Sequence, residues 1–106
     1  MVKTILYAED EESVRNVTSR IIGVRFPDIH LESFTDGTSL VERLEKGVED
    51  VAMVLTDNNM PGINGGMVIK RYARLPEFAQ IPFVLNYGGD TNIGEKAIED
   101  GARAYI

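Results

Sequence analysis

The sequence predicts an α/β fold built on a parallel sheet of five strands. Three observations carry this reading. Short runs of strand formers alternate with stretches of helical spacing in the order βαβαβαβαβ, which calls for a parallel sheet with right-handed crossovers. The third strand-like run, Val51 to Thr56, is apolar without alternation, as suits a strand buried on both faces of such a sheet. Breakers fall between segments at Pro27-Asp28, Asp36-Gly37, Gly47, Pro76 and Gly101, where turn chemistry or a helix stop is needed.

Taken in order, Lys3 to Ala8 is an apolar run that stops at Glu9-Asp10. Ser13 to Phe26 follows as a helix, with Val14, Val17, Ile21 and Val24 at helical spacing and Glu11 and Glu12 where the helix dipole favours acids. Ile29 to Thr35 reads as the second strand and contains the single histidine, His30, as a surface residue. Ser39 to Lys46 is the second helix, with Leu40, Val41 and Leu44 on one face and Gly47 as its C-cap. Asp57 ends the third strand, and Asn58 to Gly62 form a loop. Gly66 to Leu75 is the third helix, with Met67, Val68, Arg71 and Tyr72 at near-helical offsets. Ile81 to Asn86 is the fourth strand. Asp90 or Thr91 caps a fourth helix marked by Ile93, Ala97 and Ile98. Ala102 to Ile106 begins a fifth strand.

Composition narrows the function classes. The chain has 106 residues, 43% of them hydrophobic, which supports one globular domain rather than two or a disordered segment. It has no cysteine, which excludes a disulfide scaffold and a thiolate zinc site. No apolar run approaches the roughly 18–20 residues that span a bilayer, and the acids at Glu9-Asp10 come too early for a signal peptide. A membrane role is not expected, and a cytoplasmic location is. Eleven Lys+Arg against 17 Asp+Glu give a net charge of −6, so this segment is not expected to grip nucleic acid through its phosphates.

In open sheets of this kind the functional crevice lies at the carboxyl ends of the strands. The first strand ends in Glu9-Asp10 and the third in Asp57. If these strands are neighbours, three carboxylates converge, an arrangement that needs protons or a cation to offset the repulsion. Mg²⁺ fits best, because it takes one or two carboxylates, keeps several waters and bridges to phosphate oxygens. One carboxylate can then act as nucleophile toward a phosphoryl donor. Acids after strands also serve as helix caps or solvated turn residues, and Asp57-Asn58-Asn59 is good turn chemistry. The joint placement on the first and third strands favours the metal-assisted reading.

These residues carry a resemblance. Ile5 to Glu12, Leu55 to Gly65 with Asp57 three residues before Met60-Pro61, Ile81 to Val84 and Gly101 to Ile106 together resemble a receiver domain of two-component response regulators. The resemblance covers the whole chain and implies a doubly wound, flavodoxin-like sheet of strand order 2-1-3-4-5. It implies that Asp57 is the phosphoacceptor and that Asp10 and Asp57 are Mg²⁺ ligands. Glu9 would reach the ion through water, and the Asn59 backbone carbonyl would complete the protein ligands. The donor would be a sensor histidine kinase or phosphotransfer protein, and the domain an acceptor rather than a turnover enzyme. The added charge would bias a two-state loop arrangement and so switch a partner-binding surface around the fourth helix and fifth strand.

The sequence also departs from that family. The family's Ser or Thr five residues after the Pro of the fourth strand is Tyr87 here, whose hydroxyl stands farther out than a threonine's. Asn86 could donate an amide hydrogen bond if the strand shifts register by one. Tyr105 matches the aromatic that the family couples to its hydroxyl switch. A family Lys two positions past the residue matching Ile106, and a final helix beyond it, are absent from the sequence given. The expectation is therefore a receiver domain over 1–106, incomplete at its C-terminus, with an uncovered apolar face that invites self-association. Lys70, Arg71 and Arg74 form a basic patch on the third helix, either a solvated face or a partner contact. The competing readings are a phosphorylation-independent pseudo-receiver that acts as an interaction module, and an aspartyl-phosphate hydrolase. Asn59, where such hydrolases carry a second acid, argues against the latter.

Overall fold

The computed structural model describes residues 2–89 and 91–106. Among them are five strands, β1 (Thr4–Ala8), β2 (His30–Phe34), β3 (Val51–Asp57), β4 (Phe83–Asn86) and β5 (Ala104–Tyr105). Four helices alternate with them, α1 (Glu12–Arg25), α2 (Gly37–Glu45), α3 (Gly65–Tyr72) and α4 (Thr91–Glu99). All pairings are parallel and the sheet order is β2-β1-β3-β4-β5. The α/β class and the 2-1-3-4-5 order are those expected. Asp90, considered as a cap for α4, lies outside the described residues.

Helices cover both faces. Leu40 and Leu44 of α2, Val68 and Ile69 of α3 and Ala97 of α4 pack with Leu6, Val54, Phe83 and Leu85 on one face. On the other, Ile22 of α1 packs with Ile5, Tyr7 and Leu55. The interior strand β1 is buried throughout, and the central strand β3 is buried on both faces at Val54 and Leu55. Such burial explains why these strands are apolar without alternation. Gly47 and Gly101 follow α2 and α4 at φ +113° and +116°, a backbone that only glycine adopts without strain.

Several boundaries and faces differ from the sequence reading. The stripe Val14-Val17-Ile21-Val24 does not face the sheet; these four residues are 36% to 74% exposed. The inward side of α1 is instead Arg15, Thr18, Ser19 and Ile22. Spacing reveals an apolar stripe but not the surface that covers it. The third helix ends at Tyr72 rather than Leu75, and Pro76–Phe78 forms a separate 3₁₀ turn with Pro at its first position. Within α3, Ile69 is core and Met67 is 40% exposed. The second helix begins at Gly37, two residues earlier than expected, because Asp36 caps it by accepting from the Ser39 N–H at 2.7 Å.

Candidate functional site

The carboxyl ends of β1 and β3 lie side by side, with Ala8 registered against Thr56. Glu9 follows Ala8 and is only 5% exposed. Its N–H donates to the Phe34 carbonyl at 3.0 Å, which ties it to the end of β2, and its Oε2 accepts from the Glu11 N–H at 3.1 Å. Arg15 reaches back from α1 and donates through Nη1 to the carbonyls of Glu9, at 2.9 Å, and Asp10, at 3.4 Å. Asp10 is exposed, and Asp57 is half-buried at the last position of β3.

Glu9, Asp10 and Asp57 each offer a carboxylate oxygen, and the three atoms lie within 4.8 Å of one another. The electrostatics record the crowding. Burial pushes the Asp57 carboxyl up, and the charge of Asp10 adds to this. The Asn58 N–H, which donates to Asp57 Oδ1 at 2.8 Å, works in the opposite direction. Burial likewise raises Glu9, with the charges of Asp57 and Asp10 adding to it. Carboxylates this close favour a proton or a cation between them. The donor set is all oxygen, which suits a hard divalent ion, so the cluster can hold a metal ion. Asn59 is exposed in the loop that follows β3.

The sequence reading missed Asn58. It is 8% exposed. Its Oδ1 accepts from the Gly66 N–H at 2.9 Å, and its carbonyl accepts from the Gly65 N–H at 3.0 Å. Asn64 caps the same helix by accepting from the Met67 N–H at 2.8 Å. The first turn of α3 thus hangs on the residue next to Asp57, filling donors that a helix start leaves open. In sequence Asn58 is one of two adjacent asparagines in a turn, and nothing local marks which one is buried.

Tyr7 was also missed. It is fully buried, and its hydroxyl has no hydrogen-bond partner among the described residues, although Thr18 stands beside it. Burial raises its pKa, and the charges of Glu9 and Asp57 push the same way.

The three switch candidates have different surroundings. Asn86 is registered directly opposite Asp57 across the β3–β4 ladder and is half-buried. Paired residues project to the same face of a sheet, so both side chains lie on one side. The Tyr87 N–H is fixed to the Ile106 carbonyl at 3.0 Å. Its ring folds over Gly89, where an added Cβ would stand 2.6 Å from both Cζ and the hydroxyl oxygen. Tyr105, 38% exposed, lays its ring on Gly94 of α4, where a Cβ would come within 2.4 Å. No helix among the described residues is long and apolar enough to cross a membrane.

The chain is similar to known proteins. The family model for the response regulator receiver domain matches residues 5–106. The cyclic di-GMP phosphodiesterase response regulator RpfG of Xanthomonas campestris pv. campestris is 31% identical over 103 residues, 96% of this chain but 27% of that protein. The signal receiver domain of a DNA-binding response regulator from Colwellia psychrerythraea 34H superposes with a TM-score of 0.87 at 18% identity, over 98% of this chain and 84% of that one. The Mn²⁺-bound form of response regulator Rcp1 gives 0.87 at 21% identity, over 98% and 79%. The phosphorylated cyanobacterial phytochrome response regulator RcpA gives 0.89 at 18% identity, over 100% and 80%. Together, the match along nearly the whole chain and the acidic cluster at the strand ends identify this chain as a member of the response regulator receiver domain family.

Proposed function

We propose that this domain accepts a phosphoryl group on Asp57 from a phosphohistidine of a sensor histidine kinase or phosphotransfer protein. The observation that carries the reading is the convergence of Glu9, Asp10 and Asp57 within 4.8 Å. An oxygen of Asp57 attacks phosphorus. The O–P bond forms as the P–N bond breaks, and the departing imidazole nitrogen keeps the electron pair and takes up a proton. Asp10 and Asp57 would hold a Mg²⁺ ion, with Glu9 reaching it through water and the Asn59 carbonyl completing the set, and the ion would neutralise the phosphoryl oxygens. The buried Glu9, held by Glu11 and Phe34, keeps the acidic face in place. The product remains on the chain, so the domain is an acceptor and not a turnover enzyme.

The register of Asn86 against Asp57 supports its amide as the donor to the bound phosphoryl oxygens. Tyr87, folded over Gly89, takes no part in acceptance. Tyr105 on Gly94 reports the arrangement of α4. A tyrosine in place of the family's Ser or Thr, with its ring over Gly89, favours a second reading, a pseudo-receiver that acts as an interaction module without phosphorylation.

A lack of contacts with nucleic acid or an anionic membrane surface by this segment accords with its net charge of −6, and a cytoplasmic location goes with a kinase donor. The exposed α1 stripe supports self-association. Glu11 and Glu12 stand at one end of α1 and Arg20 and Arg25 at the other, so two antiparallel copies match in charge. Sedimentation of this chain and of Val17→Glu tests this: dimer in the first and monomer in the second is expected, and monomer in both contradicts it.

Intact mass after incubation with a small phosphodonor, with and without Mg²⁺, separates the two main readings. One phosphoryl adduct that needs Mg²⁺ and is lost in Asp57→Asn supports acceptance; no adduct supports the pseudo-receiver.

A further inference from the structure

We infer that the groove between α3 and α4 docks an amphipathic helix of a partner protein whose polar flank is acidic. The groove encloses about 420 Å³. Its floor is the buried Ala97 and the half-buried Ile93, and Met67 stands at its α3 wall. Lys70 lines it from α3, and Lys96 and Asp100 line it from α4.

Two features select the occupant. The first is form. Both walls are helices, and the first-turn N–H groups of Gly66 and Met67 are held by Asn58 and Asn64, so the groove presents side chains rather than a strand edge. That favours a helix laid in a groove over strand addition. Met67 is flexible and polarizable, and adapts to the apolar residues of an incoming helix.

The second is charge. The chain carries −6 overall, yet α3 carries Lys70 and Arg71 with no acid, and Arg74 follows it. Lys96 already meets Asp100 at 3.2 Å and Glu99 at 3.9 Å, and Arg74 donates to the Glu99 carbonyl. Lys70 has no ion pair among the described residues and is exposed. A carboxylate on the partner fits it. The acids beside Lys96 count against a polyphosphate such as nucleic acid.

The groove is also wired to the candidate site. Asn64 and Gly66 line its near end, and Gly66 is the residue whose N–H is held by Asn58. Control of docking from Asp57 rests on the phosphoacceptor reading. Docking in the resting state needs no phosphodonor, so the two fail separately.

The test uses two fluorescent synthetic helices of about 14 residues, roughly four turns. Each carries leucines at i, i+3, i+4 and i+7, and one is flanked by glutamates, the other by lysines. Anisotropy gives affinity, and amide shifts of labelled protein give the location. The glutamate peptide is expected to shift α3 and α4 amides. It should bind Val17→Asp as it binds wild type, and Met67→Asp about tenfold more weakly. Lys70→Glu should weaken the glutamate peptide and strengthen the lysine peptide, an exchange of preference that a misfolded variant would not show. The proposal is overturned if the glutamate peptide does not bind, if its shifts fall on α1, or if Lys70→Glu leaves the preference unchanged. It is equally overturned if the groove proves to be filled by a second copy of this chain.

Discussion

Gly65 lies against the main-chain carbonyl of Asp57: a Cβ on Gly65 would stand 2.1 Å from that oxygen and 3.1 Å from the Thr56 Cγ2. No side chain fits there, so the start of α3 and the end of β3 approach at backbone distance. Gly65→Ala therefore forces backbone apart rather than a flexible side chain. It should cost about 1–3 kcal/mol, as overpacking does, and slow acceptance at Asp57. Denaturant unfolding and the phosphorylation rate check this. Gly66→Ala, whose Cβ meets only the side chains of Asn58 and Asn64, should be milder in both.

The acidic cluster gives stability a particular pH dependence. Asp57 and Glu9 both titrate above their ordinary values in the folded chain. The native state then binds more protons than the unfolded chain across the window from the ordinary carboxylate range up to the raised values. Their contribution is present in full below that window and is lost as pH rises through it. Asp36 and Asp50 act with opposite sign. The Ser39 N–H lowers the first and the Thr4 hydroxyl the second, so their contribution is lost as pH falls below the ordinary range. Asp57→Asn should raise Tm near neutral pH by a few degrees, since about 1 kcal/mol is worth 4–8 °C in a domain of this size. Millimolar Mg²⁺ should raise Tm of the wild type more than that of the variant. Thermal unfolding against pH, with and without Mg²⁺, reads both.

Asn86 and Tyr87 are adjacent in sequence but are assigned different tasks. Asn86→Ala should lower the rate of acceptance at Asp57 by about tenfold, roughly 1.4 kcal/mol, while Tyr87→Phe should leave it unchanged. Single-turnover phosphorylation of both variants measures this. The reverse ranking would return the role to Tyr87.

At the opposite end of the sheet, Arg43 joins α2 to two neighbours. It meets Glu32 at 2.8 Å and Asp50 at 3.3 Å, and Thr4 donates to Asp50 at 2.9 Å. Both acids and Arg43 are partly shielded from water. Arg43→Ala should therefore cost about 1–3 kcal/mol, more than an open surface pair, without changing acceptance at Asp57. Urea unfolding beside the phosphorylation rate tests this.

The fold was legible because strand and helix periods alternate cleanly and stop residues stand where turns occur. Gly47 and Gly101 mark helix ends in the sequence and take positive φ in the structure. The carboxylates were legible too, since a residue that ends a buried strand must emerge at the sheet edge. Packing was harder to read. The α1 stripe obeys the helical period while facing away from the sheet, because period alone does not name the covering surface. Asn58 and Tyr7 were invisible for a related reason: the burial of each depends on residues distant in sequence. Asn58 meets Gly65 and Gly66 only after the loop has closed, and Tyr7 is covered by α1. The relation of Asn86 to Asp57 needed the ladder register, which the sequence does not contain.

Phosphoryl transfer to Asp57 would leave an acyl phosphate at that position. Borohydride reduces an acyl phosphate to an alcohol, so an aspartyl phosphate is read out as homoserine at its own position. Peptide sequencing by mass spectrometry after treatment with phosphodonor, Mg²⁺ and borohydride should find homoserine at position 57 and aspartate at position 10. Reduction at Glu9 or Asp10 instead, or no reduction at position 57 in protein that remains folded, would contradict the account.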